Sequence, residues 1–158
     1  MPELPLLRRR VETSLVFGAF ITIATFLPPP ASASEPSDGE KIFALKVRPI
    51  LRGKCFGCHS DEADELKGGF DLSNRDLMLE GGDAYGDASV VPGDAEASLM
   101  LAMVAREEEG YEMPPKEADK LTQEEVWAIR DWINADAPWP DENRVAEIYD
   151  QFADGVTV

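Results

Sequence analysis

Cys55-Phe56-Gly57-Cys58-His59 decides how this chain is read, because it holds both cysteines and the only histidine. Two thiols at this spacing on a helical turn can add across the two vinyl groups of one haem. The residue that follows then offers an imidazole to the iron. Three other readings of the same residues compete. A thioredoxin-like dithiol expects a strand feeding a helix inside a βαβ unit, and no such alternation is visible along the chain. A zinc site would have two thiolates and one imidazole, short of a closed structural set, with no second cysteine pair to complete it. Inert buried thiols are the plainest case. The segments on either side favour a single, covalently attached haem c.

The first of those segments is the N-terminus. Arg8, Arg9 and Arg10 form a basic zone, and Leu15 to Leu27 then runs apolar, interrupted only by Gly18, Thr22 and Thr25. This run falls short of the roughly 18–20 residues that a spanning helix needs. Pro28 to Pro30 follow, and Ala31-Ser32-Ala33 offers small residues to a peptidase. Residues 1–33 therefore read as a signal peptide. The mature chain is expected to be exported, periplasmic or otherwise extracytoplasmic, with no permanent membrane span once the leader is cleaved. An uncleaved anchor is the alternative.

The full chain has 158 residues and suits one domain. It carries 15 Lys+Arg against 31 Asp+Glu, for a formal charge of −16 and a pI near 4.3. Losing the leader removes three Arg and two Glu from those totals, which leaves −17. Such a surface repels a polyanion, so nucleic acid is not an expected partner. Two cysteines cannot make a disulfide-dense scaffold, and the composition does not fit a membrane channel.

The mature chain reads as helices separated by turns. Ser37-Asp38-Gly39-Glu40 is a capping box, followed by Phe43, Val47, Ile50 and Leu51 at helical spacing, with either a kink or a short second turn expected to start at Pro49. From Asp61 to Gly93 glycine-rich turns dominate, with a scrap of strand expected at Phe70-Asp71-Leu72 and a short helix from Asn74 to Leu79. A loop this long inside a compact domain needs something to wrap around. Asp94 is the expected N-cap of a helix to about Arg106, and Tyr111-Glu112-Met113-Pro114-Pro115 is expected to be extended. Thr122-Gln123-Glu124-Glu125 is a second capping box, ahead of Val126, Ile129, Trp132 and Ile133. The expected domain spans 34–140, and 141–158 reads as an acidic, weakly amphipathic tail.

With a single histidine, the second axial position cannot be filled by another imidazole from this chain. Met78, Met100, Met103 and Met113 are the thioether candidates. Met100 and Met103 lie on an apolar helix face, and Met78 is flanked by leucines, so all three read as packing. Met113 precedes two prolines that stiffen the segment and let the side chain be aimed. It is the expected partner of His59 on the iron.

At these residues the chain resembles the planctomycete-type cytochrome c domain, a relative of class I cytochromes c. The resemblance runs from about Glu40 to Pro140. It rests on Val47-Arg48-Pro49-Ile50-Leu51, Cys55 to His59, Lys67-Gly68-Gly69-Phe70-Asp71-Leu72, Gly81-Gly82, Val91-Pro92-Gly93-Asp94, Ser98-Leu99, Met113-Pro114-Pro115 and Trp132-Ile133. Ser60 follows the histidine where many class I cytochromes have glycine. The resemblance implies an all-α, exported haem protein, a small helical domain around its cofactor, engaged in electron transfer.

The resulting expectation is a monohaem carrier with His59 and Met113 on the iron and Cys55 and Cys58 holding the macrocycle, more a carrier than a catalyst. Its redox partner should present a basic docking patch. Two other functions compete. A haem enzyme or sensor would need an open sixth position and distal acid–base groups, for which only Arg106 or Glu112 is at hand. A tethering module would bind through the tail from Asp141.

Overall fold

The structure, a computed structural model, describes residues 34–154. The leader reading of 1–33 and the last four residues of the tail, 155–158, lie outside the described residues.

The first capping box forms as its spacing predicts. The Ser37 hydroxyl accepts the Glu40 N–H at 3.2 Å, and Glu40 Oε2 accepts the Ser37 N–H at 2.8 Å. This starts α1 (Asp38–Ile42), which passes through one wide π turn (Phe43–Val47) into α2 (Arg48–Lys54). Of the two expectations at Pro49, the second is close: a new helical segment starts at Arg48, one residue early, after a π turn in place of a kink. Arg48 donates its N–H to the Phe43 carbonyl, five residues back. Pro49 then enters in the first turn of α2, where a missing amide costs least. Phe43, Val47, Ile50 and Leu51 all face inward and are buried.

These side chains meet the C-terminal half of the chain. The second capping box starts α6 (Gln123–Asn134), which buries Val126, Ile129, Trp132 and Ile133. The Phe43 ring lies 5.8 Å from Trp132 and 4.7 Å from Trp139 between centroids. Trp132 Nε1 donates to the Pro138 carbonyl at 2.8 Å, so the indole fills the core without stranding its polar atom. Gly39 lets α1 approach the end of α6: a Cβ there would stand 2.9 Å from both Ala135 Cβ and Pro138 Cγ. The segment after Pro140, read as a tail, is capped by Asp141 and forms α7 (Glu142–Phe152). Its Val145 and Ile148 are buried in the same core.

The two capping boxes also reach across the molecule. Glu40 receives Arg144 of α7 at 3.4 Å, and Glu125 receives Lys54 of α2 at 3.1 Å. Lys54 Nζ donates in addition to the Lys120 carbonyl at 3.0 Å.

Between these ends run the one-turn α3 (Phe56–His59), α4 (Arg75–Glu80) and α5 (Leu99–Val104). Asn74 caps α4 through Leu77 N–H at 3.0 Å, as expected. Phe70-Asp71-Leu72 is extended but pairs with no strand. The described residues contain no β-strand, only an isolated bridge between Gly82 and Gly86. The helix expected from Asp94 begins later, at Leu99. Gly93 (φ +82°) turns the chain and donates its N–H to Ile133 O at 2.8 Å, and Ala95 N–H goes to Asn134 Oδ1 at 2.9 Å. Docking onto the end of α6 thus takes the amides and the dihedrals that a helix start would use, and Asp94 caps only a turn, through Ala97 N–H at 3.0 Å. The domain is all-α.

Candidate functional site

The motif sits where α2 breaks. Cys55 (φ −120°) closes α2 by donating its N–H to Leu51 O, and its own carbonyl accepts from Cys58 and His59 at 3.0 and 2.9 Å. This tight turn points Cys55 inward, where it is buried, and leaves Cys58 exposed; both are free thiols. Ser60 Oγ donates back to Phe56 O at 2.8 Å and secures the turn.

Cys55 and His59 line a cavity of about 210 Å³ whose wall is almost wholly apolar. Phe70, Leu72, Leu99 and Val104 supply much of that wall, and Lys67 is its one charged residue. The Phe70 carbonyl lies 3.2 Å from His59 Nδ1, and the Leu72 N–H donates to the His59 carbonyl at 2.7 Å. The extended Phe70–Leu72 segment therefore grips His59 from both ends. A ring nitrogen held by a carbonyl in this way is the N–H donor, so the other nitrogen keeps its lone pair for a metal. Burial pushes the Cys55 thiol up to about 11, against the opposing pull of the Lys54 ammonium. At neutral pH it is a protonated thiol, a poor zinc ligand or exchange partner. Among the described residues no three His, Cys, Asp or Glu side chains gather to hold a metal ion.

The thioethers sort differently from the sequence expectation. Met78 is fully buried and does not line the cavity, so it is packing. Met100 and Met103 line the cavity alongside Met113, although their helical spacing read as core. Met113 lies in a non-helical loop, as expected, but the chain bends there instead of running extended, and its N–H donates to Met103 O at 3.0 Å. Arg106 Nη1 donates to Pro114 O at 3.1 Å while Nη2 pairs with Glu117 at 3.1 Å, so Arg106 ties the methionine loop down from outside. Neither Arg106 nor Glu112 lines the cavity. Sequence reasoning passed over Tyr85 and Tyr111, which do line it with their rings edge to face. They sit in loops without periodicity, so no pattern in the chain marked them.

A flat, apolar macrocycle with a metal at its centre fits this donor set. There are two thiols on one turn, an imidazole with its tautomer fixed, thioethers sharing the imidazole's cavity, and an apolar wall that keeps water away. Fold and site together fit a c-type cytochrome domain, a class that implies haem c. Residues 55–117 match the family model described as Planctomycete cytochrome C, so this segment is similar to that family's domain. No curated protein and no solved structure matches the chain.

Proposed function

We propose that this chain is an exported, monohaem carrier that exchanges single electrons with a partner protein. The observation that favours it is the composition of the cavity wall. His59 and three thioethers share the wall, whereas Arg106 and Glu112, the distal groups that the sequence offered to a haem enzyme, do not. Haem c, when bound, supplies an iron that cycles between Fe(III) and Fe(II). Cys55 and Cys58 hold the macrocycle covalently. His59 would ligate the iron through the nitrogen that Phe70 leaves open, and Met113 would supply the second protein ligand. A His/Met pair would raise the potential and leave no place for a substrate on the metal. The apolar wall excludes water and so limits the reorganisation that electron exchange requires. The mature protein begins at Ser34, and among the described residues no helix is long and apolar enough to cross a membrane. Its net negative charge calls for a partner with a basic docking patch.

An ultraviolet–visible spectrum of the purified holoprotein with and without dithionite tests this reading. The sharp bands of a low-spin, six-coordinate c-type haem are expected in the reduced form. Free binding of carbon monoxide to the reduced protein would replace the carrier with a haem enzyme or sensor.

A further inference from the structure

α5 and α6 lie side by side and run in opposite directions. The turn before α5 is fastened to the end of α6 by Ala95 N–H on Asn134 Oδ1 at 2.9 Å. Arg106, just past the other end of α5, pairs at 3.1 Å with Glu117 in the turn ahead of α6. Between the two helices lies another cavity, of about 360 Å³, within the range of small-molecule sites. Val104 belongs to both cavities, but Cys55, His59 and Met113 have no part in this one. Buried Val104, Leu121 and Val126 give it an apolar floor, and Trp127 lines it while staying 47% exposed.

The charge on this wall runs against that of the molecule. Arg106, Lys120 and Arg130 line it, three of the twelve cations in 34–154, with only Glu96 and Glu107 of the twenty-nine acids. A chain with more than two acids per cation thus presents more cations than acids here. The cations are only partly engaged. Glu117 is shared between Arg106 at 3.1 Å and Lys120 at 2.6 Å, so one carboxylate serves two positive charges. Arg130 lays Nε and Nη2 on one oxygen of its neighbour Asp131. Arg106 Nε and Arg130 Nη1 have no partner among the described residues. Arg106 also takes the left-handed position (φ +63°) that closes α5, where glycine is the easier residue. The guanidinium is thereby set between this cavity and the Pro114 carbonyl.

We propose that the groove between α5 and α6 binds a small monocarboxylate with an aromatic body. The carboxylate goes to Arg106 and Lys120, whose shared acid leaves one positive charge over, and the guanidinium fork suits its two oxygens. The ring packs on Leu101 and Val104 beside the Trp127 indole. Glu96, before α5, and Glu107, after it, form no ion pair among the described residues. They leave the groove unsuited to a dianion such as inorganic phosphate. The site is independent of the carrier reading.

The test titrates benzoate at pH 7 into the ¹⁵N-labelled holoprotein. The Trp127 indole N–H and the amides of 105–107 and 120–121 should shift saturably. The Trp132 indole, committed to Pro138 O, should stay in place. Acetate keeps the charge without the ring, and benzyltrimethylammonium keeps the ring with the charge reversed. Neither should move Trp127 at the same concentration. Lys120→Gln should weaken benzoate about threefold, and Glu107→Gln should strengthen it by about as much. Both residues are exposed, so the buried floor is left as it is. The site is overturned if benzoate gives no saturable shift, if acetate or the organic cation shifts Trp127 equally, or if Lys120→Gln binds benzoate as the parent does.

Discussion

The N–H of Met113 donates to the carbonyl of Met103, so the methionine loop is pinned to the last turn of α5. The two thioethers line one cavity from different kinds of backbone. Met103 is on a packed helix, and Met113 is on a proline-stiffened loop held from behind by Arg106.

That difference separates two variants. Met113→Ala should abolish the weak red charge-transfer band of the ferric protein, lower the potential and open the iron to carbon monoxide. Met103→Ala should keep the band and lose stability. The loss should fall below the about 2–5 kcal/mol of a fully buried methionine, because Met103 is only half-buried. Reversed phenotypes would move the ligand to Met103.

Arg106→Gln removes the cation that spans Pro114 O and Glu117. The expected cost in urea unfolding is about 1 kcal/mol, modest because the pair is partly solvated. The charge-transfer band should survive at room temperature but vanish at a lower temperature than in the parent. An unchanged thermal profile of the band would show that the loop holds its place without Arg106.

Protein matured in a host competent for c-type cytochromes should weigh as the polypeptide plus one haem, and the haem should survive acid–acetone extraction. Cys55→Ala and Cys58→Ala should each leave a single thioether, visible as a shifted reduced absorption band. A mature protein carrying zinc or a Cys55–Cys58 disulfide would sink the assignment.

Much of this architecture is written in local patterns, and the exceptions share a cause. Both capping boxes, the Asn74 cap and the inward stripe of α6 follow from short-range spacing and form where expected. Where a tertiary contact competes for the backbone, spacing alone misleads. Gly93 and Ala95 spend their amides on the end of α6, so the helix waits until Leu99. The stripe Val145–Ile148 read as part of a weakly amphipathic tail, yet α1 and the π turn provide the surface that covers it. At the site, the Cys55–His59 motif is legible because its chemistry depends on spacing. The grip of Phe70 on His59 is a backbone contact that no side-chain identity announces.

Glu40 supplies a pH test. Its carboxyl is held below its ordinary value of 4.5 by the Ser37 backbone N–H first, against the opposing effect of burial, and then by the Ser37 hydroxyl and Arg144. A carboxyl lowered on folding adds stability above its unfolded value and loses it as pH falls through the folded one. Glu40→Gln should therefore lower the melting temperature at pH 7, and the gap from the parent should close as the pH falls below 4.5 and through the lowered value. A gap that persists in acid would mean that Gln disturbs packing rather than charge.

The shared carboxylates of the two capping boxes have a consequence for how the domain comes apart. Helix ends are ordinarily the first backbone to fray, since opening them breaks only local bonds. Here the glutamate that closes each box also holds a cation from another helix: Arg144 of α7 on Glu40, Lys54 of α2 on Glu125. Fraying at Ser37 loosens the last helix, and fraying at Thr122 loosens the residue next to Cys55. Helix-end melting is thereby coupled to long-range disassembly, and a small acidic domain gains cooperativity from charges that are modest one by one.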